Sequence, residues 1–408
     1  MTPLSPAQAD ETRTWLSRVE NVSGLLAEKR AQAERDRATP TAVMDALRAQ
    51  EFHRMWVSHS FSGANVSLRT GSAVLQALAR IDPSAAWQMG VQGAVGRLSD
   101  YLPDKVAARL FCTSRGLVVG GVNPTGEAVP VPGGYRVRGT WSFASGATHA
   151  DWLLCAAVLA PCAPCASGAS GSPGGQRGQD GPAPNGAAPI RMLFIPGSTA
   201  SFSDDWHSLG LRGTGSGSFT VDNVVVPESH SVDGSLLRRP PAVRRTRGYS
   251  IAYYDFAPFT TASTALGIAQ QALDVFRELA GRTVPARSTH SLADSATVHA
   301  TFARATALVR AAELVLADAA DQAMAHGETG GEELSGVIRL AAASVAENCV
   351  SAVTMLHTAA GAAALRSGDG LDRCFRDIHT AARHITLATT NFEMVGAHLF
   401  GGPLLMRR

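Results

Sequence analysis

The chain has 408 residues, 45% hydrophobic and 17% charged, with a formal net charge of +2. That length allows a large buried core and two or three domains, and the near-neutral charge gives no field that would gather nucleic acid or an anionic membrane. Met1 to Trp15 is polar, without the apolar centre of a signal peptide, and no apolar run is expected to span a bilayer, so the expectation is a cytoplasmic protein.

Helical spacing of apolar residues predicts a first helix over 5–36 with Pro6 near its start, and a second from Thr41 to Phe52. Further helices fit Thr70 to Ile81, Pro83 to about Ser99, and Pro103 to Phe111, each opening near a proline or a hydroxyl cap. Residues 1–115 therefore form a predicted helical domain. The pattern changes at Gly116. Gly116 to Val122 is a short β run, Asn123-Pro124-Thr125-Gly126 a predicted turn, and Val129 to Val131 leads into a hairpin. Trp152 to Leu159, Ile190 to Ile195 and Phe219 to Val226 complete a predicted β-domain over 116–235. Within it, residues 161–189 are rich in Pro, Gly, Ala and Ser and are expected to be a disordered hairpin insertion.

Arg238, Arg239, Arg244, Arg245 and Arg247 cluster around Pro240-Pro241. A solvated linker is favoured there over an anion site. From residue 236 to 408 the chain is almost continuously helical, with segments near 259–281, 293–326, 332–366 and 373–399, a predicted four-helix bundle. Six cysteines are scattered along the chain. Only Cys162 and Cys165 have metal-ligand spacing, with no second pair or nearby histidines, so structural zinc is not expected.

The most informative stretch is Gly133 to Trp152. A strand through Tyr135 and Val137 runs into Trp141 and Phe143, then meets a Ser145-Gly146 corner. Flat aromatics before a hydroxyl and a conformationally free residue suit a planar, polar-edged ligand; a hairpin with two core aromatics is the competing reading. Trp-x-Phe-x-Ser-Gly followed by His149-Ala150-Asp151-Trp152 resembles the flavin-facing motif of the group D flavin-dependent monooxygenases, which share the acyl-CoA dehydrogenase fold. The order of helical domain, β-domain and bundle agrees with that resemblance over nearly the whole chain.

The resemblance implies an α+β, mostly α fold: an N-terminal helical domain, a central β-barrel-like domain and a C-terminal four-helix bundle. It also gives meaning to Leu209-Gly210-Leu211-Arg212-Gly213-Thr214-Gly215-Ser216. By its residues alone this is a Gly-rich turn, and no P-loop. Its Gly-x-Arg-Gly-Thr-x-Ser pattern is similar to the family's second flavin-side loop. Trp141, Phe143, Ser145, Gly146, Arg212, Thr214 and Ser216 are thus the implied cofactor contacts, with Arg282 or Arg287 for the flavin phosphate.

The last predicted helix holds Arg376-Asp377, His379, His384, Glu393 and His398, with no pair at a metal-binding spacing. A lone histidine on a helix is more often structural than catalytic. The resemblance, counted from Arg376, puts a flavin-facing histidine at His384, where acyl-CoA dehydrogenases with their base on this helix carry a Glu. Arg383-His384-Ile385-Thr386 offers no carboxylate.

The implied function is the oxygenase component of a two-component monooxygenase. It would use reduced FMN or FAD and O2 through a flavin C4a-hydroperoxide to hydroxylate or oxidise a small aromatic substrate; His384 would take a proton, with Ser145 and Asn123 at the flavin edge. A flavin reductase is the implied partner, because the chain lacks a Gly-x-Gly-x-x-Gly fingerprint, and a homotetramer the implied assembly. The alternatives are an acyl-CoA dehydrogenase or oxidase, against which the missing carboxylate tells, and a relative without catalysis. Some relatives have a second histidine before the β-domain; Trp87 to Leu98 offers only Gln88 and Gln92.

Overall fold

The computed structural model describes residues 3–113, 117–160, 188–242, 250–286, 288–366 and 370–404. Helix α1 (Pro6–Asp36) opens with a reciprocal cap, the Ser5 hydroxyl on the Gln8 N–H and the Gln8 amide on the Ser5 N–H. After α2 (Thr41–Ala49), α3 (Leu68–Ile81) starts at a Ser67 cap and α4 (Pro83–Gly96) at an Asp82 cap. The short α5 (Asp104–Ala108) closes this helical part.

Among the described residues seven strands follow: β1 (Val118–Val131), β2 (Gly134–Trp141), β3 (Trp152–Leu159), β4 (Ile190–Pro196), β5 (Ser201–Phe202), β6 (Phe219–Pro227) and β7 (Ser231–Asp233). They form one sheet in the order β5-β6-β2-β1-β3-β4-β7. This sheet is the expected barrel-like domain, and among the described residues β5 and β7 stand at its two ends. It is mixed, since β1 runs parallel to β3 while the other pairs are antiparallel. β3 explains why its sequence is apolar throughout. Trp152, Leu154 and Ala156 join the large core shared with the helices, while Leu153, Cys155 and Ala157 fill a second core on the other face.

The expected turn at Asn123-Pro124-Thr125-Gly126 lies inside β1. There Gly121 pairs with Cys155 and Gly126 with Ala157, so residues 122–125 face Ala156 alone. A long bulge absorbs the proline, which has no N–H to give the ladder.

The C-terminal part is α6 (Tyr253–Arg282), α7 (Ala296–His326), α8 (Gly331–Ala360), α9 (Leu371–Ala381) and α10 (Thr390–Leu399). Three helices are long, and the fourth expected one is broken. The chain leaves α9 through His384, whose extended backbone (φ −66°, ψ 139°) starts a short 3-10 turn over Ile385–Leu387. The Asn391 side-chain amide lies within bonding distance of the carbonyls of Ile385, Thr386 and Ala388 and holds that break closed.

The expectation of no membrane-length apolar run needs correction. Gly331–Leu365 is long and apolar enough to cross a bilayer by length and composition. In the fold α8 packs on α6, α7 and α9, and the larger part of that apolar segment is buried inside the protein. The arginine-rich segment is ordered at its start, where Leu237 is buried and the Arg239 carbonyl accepts the Tyr101 hydroxyl. Arg244, Arg245 and Arg247, the 161–187 part of the insertion, and Arg287 lie outside the described residues.

Candidate active site at the hydroxyl corner

Beyond β2 the chain turns sharply. Phe143 sits at φ 63°, an unusual angle for a bulky residue, and Gly146 at φ 78°. The corner is pinned to the Gly-rich loop, because the Gly146 N–H donates to the Thr214 carbonyl and the Ala144 N–H to Gly217. Three buried hydroxyls meet there. Ser145 Oγ lies 2.7 Å from Ser216 Oγ, which lies 2.6 Å from Thr214 Oγ1. Thr214 Oγ1 donates to the Leu211 carbonyl at 2.8 Å.

That last bond fixes the direction of the whole chain. A hydroxyl has one proton, so Thr214 accepts from Ser216, and Ser216 accepts from Ser145. Ser145 is left with lone pairs only. It offers an acceptor to whatever lies against the corner.

Helix α4 supplies a second acceptor. The Gln88 Nε2 donates to Thr39 Oγ1 at 2.6 Å and to the Ser84 carbonyl at 3.1 Å. A carbonyl can only accept, so the amide orientation is settled and Oε1 is the opposite atom. That oxygen is buried and has no hydrogen-bond partner among the described residues. A Cβ on Gly146 would stand 2.7 Å from it, and the positive φ of Gly146 strains any other residue there. An unpaired buried carbonyl calls for a ligand or water donor.

One residue earlier on α4, the Trp87 ring meets His384 edge-on, with centroids 5.5 Å apart. His384 is half-buried, and the surrounding protein lowers its pKa to about 4 by desolvation, so it is neutral near pH 7. Its Nδ1 accepts the Thr386 backbone N–H at 3.3 Å and lies 2.8 Å from Thr386 Oγ1, which in turn lies 2.7 Å from Thr261 Oγ1 on α6. This geometry runs against the expected base, since Nδ1 is already occupied as an acceptor.

Other expected contacts fall elsewhere. Trp141 has no exposed surface to offer a ring. Its indole lies under the β1 bulge, where a Cβ on Gly121 or Gly126 would strike it, and its Nε1 donates at 2.7 Å to the Ala156 carbonyl that faces the bulge. Trp141 is therefore core. Phe143 is 70% exposed on the outside of the corner, edge-on to Trp206 at 6.3 Å. Asn123 is exposed in the bulge. Arg212 binds the Glu34 and Ser208 carbonyls and ties its loop to α1 instead of facing a ligand. Arg282 is exposed in the last turn of α6, roughly 30 Å along the axis from Thr261 at 1.5 Å per residue. Within one chain it cannot share a site with the corner.

The remaining motif residues position the loop. Asp377 accepts the Leu211 N–H at 2.6 Å, and Arg376 bonds the Leu209 carbonyl, Glu34 and Asp372. Burial pushes the Asp377 carboxyl up to about 6. His149 bonds the Thr39 carbonyl, and Arg48 bonds the His149 carbonyl, which anchors the corner to α2. No role for Trp87, Trp206, Thr261 or Thr386 was legible in the sequence. The one signal for Gln88 was its place where relatives carry a histidine. No cluster of histidine, cysteine or carboxylate side chains suited to a metal occurs among the described residues.

The corner thus carries two oxygens with lone pairs that no donor fills among the described residues, Ser145 Oγ and Gln88 Oε1, and an exposed aromatic, Phe143, stands outside it. The elements and their order are those of the acyl-CoA dehydrogenase fold, and residues 259–389 match the family described as acyl-CoA dehydrogenase, C-terminal domain. The chain is 29% identical, over 96% of its length and 94% of the relative's, to the FADH(2)-dependent resorcinol hydroxylase, oxygenase component, of Rhizobium sp. (strain MTP-10005). Among solved structures it resembles XiaF from Streptomyces sp. in complex with FADH2 and glycerol, with a TM-score of 0.86, 24% identity and 98% of each chain covered. It also resembles TdsC from Paenibacillus sp. A11-2 with FMN and indole, with a TM-score of 0.76, 21% identity, and 95% and 97% of the two chains covered. Its relatives include the flavin-dependent monooxygenase, oxygenase subunit HsaA, of Rhodococcus jostii (strain RHA1), and its structural neighbours include a dibenzothiophene monooxygenase.

Proposed function

We propose that this chain is the oxygenase component of a two-component flavin-dependent monooxygenase, which takes reduced FMN or FAD from a separate reductase and hydroxylates a small aromatic substrate. The observation that carries the reading is the paired-acceptor corner facing a turn with no carboxylate. When bound, reduced flavin supplies O2 activation and the transfer of one oxygen atom. Ser145 and Gln88 hold a donor-bearing edge of the ring system, and the Ser216-Thr214 pair keeps Ser145 in its accepting orientation. Trp87 and His384 border the side left for substrate, where their apolar surfaces exclude water.

The acyl-CoA dehydrogenase reading needs a carboxylate to remove an α-proton. Around the break after α9 the residues are Arg383, His384, Ile385, Thr386 and Thr389, and Glu393 is exposed further along α10. Assembly as a homotetramer is part of the proposal. Leu340, Leu365, Leu399 and Phe400 are exposed apolar residues of the C-terminal part, and a second copy would cover them and bring in the remote Arg282. A monomer by light scattering at micromolar concentration overturns the tetramer.

The test of function is single turnover. Dithionite-reduced FMN or FAD is bound to the purified chain and mixed with 18O2 and resorcinol or indole. One labelled oxygen atom in the product supports the reading. Absence of label with every substrate, together with desaturation of butyryl-CoA, replaces it with the dehydrogenase.

A further inference from the structure

We propose that Asp377 is a positioning residue for the hydroxyl corner: by holding Leu211 in a left-handed conformation it makes Ser145 present lone pairs and not a proton. What this means for flavin rests on the proposed function; the link from Asp377 to the hydroxyls does not.

Leu211 is the unusual residue of the Gly-rich loop. It sits at φ 50° and ψ 33°, a region that any residue with a Cβ enters at a cost, and its side chain is buried. Its N–H and its carbonyl stand on either side of the α-carbon, so these two angles set where each points. The carbonyl accepts Thr214 Oγ1 at 2.8 Å, the Thr214 N–H at 3.1 Å and the Trp206 indole N–H at 3.3 Å. It is therefore the end stop of the Ser145-Ser216-Thr214 chain. If it turns away, the Thr214 proton is free to go to Ser216, and the Ser216 proton to Ser145. Ser145 would then face outward with a proton of its own.

The group that holds Leu211 comes from far along the chain. Asp377 Oδ1 accepts the Leu211 N–H at 2.6 Å, a shorter bond than any on the Leu211 carbonyl. Burial raises this carboxyl to about 6, so it is still ionised at neutral pH, and a bond to a charged acceptor is roughly twice as strong as one between neutral groups. Its neighbour contributes as well. The Arg376 guanidinium donates to the Leu209 carbonyl at 3.1 Å, and the Arg376 carbonyl lies so near Gly210 that a Cβ there would collide with it. Helix α9 thus grips residues 209, 210 and 211 in succession, and its strongest bond falls on the strained one.

Two experiments test this. In the flavin-free protein, urea midpoints are measured for Asp377→Leu, Thr214→Val and the double variant. Asp377 and Thr214 make no hydrogen bond to each other among the described residues, so independent roles give additive shifts. The double variant is expected to fall by clearly less than the sum, and additive shifts overturn the proposal whether or not the chain is an oxygenase. Should Asp377→Leu not fold, Gly210→Ala pushes α9 off the loop without removing a charge and takes its place in the cycle, with the same expectation. With flavin, the ratio of affinities for dithionite-reduced and oxidised FMN is read. Asp377→Asn keeps an acceptor oxygen and should keep a preference of about tenfold for the reduced form, while Asp377→Leu and Gly210→Ala should come within about twofold of equality. A residue that merely held the loop in place would weaken both affinities by one factor and leave the ratio alone. That outcome, or a ratio near one in wild type, overturns the proposal. If the coupling is found and wild type binds neither form of flavin, the link to the hydroxyls stands and the proposed function fails.

Discussion

The direction of the Ser145-Ser216-Thr214 chain makes a prediction about redox state. Reduction of flavin adds an N–H to the ring system, and Ser145 in wild type offers only lone pairs. Reduced flavin should therefore bind more tightly than oxidised flavin, by about tenfold or about 1.4 kcal/mol for one well-made hydrogen bond. Ser216→Ala removes the group that takes the Ser145 proton at 2.7 Å. Ser145 can then turn its proton outward and donate, so the preference for reduced flavin should shrink toward equality. The same change orphans a buried hydroxyl, since Ser145 is only 5% exposed, and should cost about 1–3 kcal/mol in the flavin-free protein. Anaerobic titration with dithionite-reduced flavin and aerobic titration with oxidised flavin give the two affinities, and urea unfolding gives the stability. Equal affinities in wild type, or an undiminished preference in Ser216→Ala, would refute the assigned direction.

Trp141→Phe keeps the ring and deletes the donor to the Ala156 carbonyl; a loss of about 1–3 kcal/mol is expected, seen as a lower urea midpoint with an unchanged m-value. Two groups give opposite pH slopes. The Asp377 carboxyl is raised to about 6, so its contribution is fully present below its unfolded pKa near 4 and is lost as pH rises through 6; subtracting the melting curves of Asp377→Asn isolates it. The His384 ring is lowered to about 4, so its contribution is present above about 6.5 and is lost as pH falls through 4, and a His384→Gln difference curve should show that fall. Deleting Cys162 to Gly186 with a short linker should leave melting temperature and flavin affinity intact, because β3 and β4 already pair up to Val158 and Ile190 and Leu159 N–H bonds the Pro189 carbonyl. A large drop in either would show that the removed residues pack.

Local signals carried far in this chain. Helices α1 and α4 open at Pro6 and Pro83, where the sequence places them, and α3 opens at Leu68, two residues before the expected Thr70, because capping depends on residues three or four apart. The apolar run of β3 and the Ser145-Gly146 corner were equally visible, the first by its length and unbroken apolar character and the second by a hydroxyl beside a glycine that takes φ 78°. The motif resemblance rightly pointed to the flavin-dependent oxygenases, since Ser145, Thr214 and Ser216 lie close to corners defined within a few residues.

What the sequence could not decide were the relations between distant segments. Trp141 and Phe143 are two apart and would share a face in a strand, yet one lies fully buried beneath a bulge and the other stands 70% exposed. Nothing local to them records the bulge, which arises from how residues 122–125 fail to pair with β3. Arg212 matches its motif but spends its guanidinium on carbonyls of α1 and its own loop. His384 was found by counting, whereas its chemical character depends on a backbone break after α9 and on Thr261, 2.7 Å from Thr386 but far away in the chain. Residue type fixes what a side chain can donate or accept; only the packed structure decides which of those capacities are already used and which are left to meet a ligand.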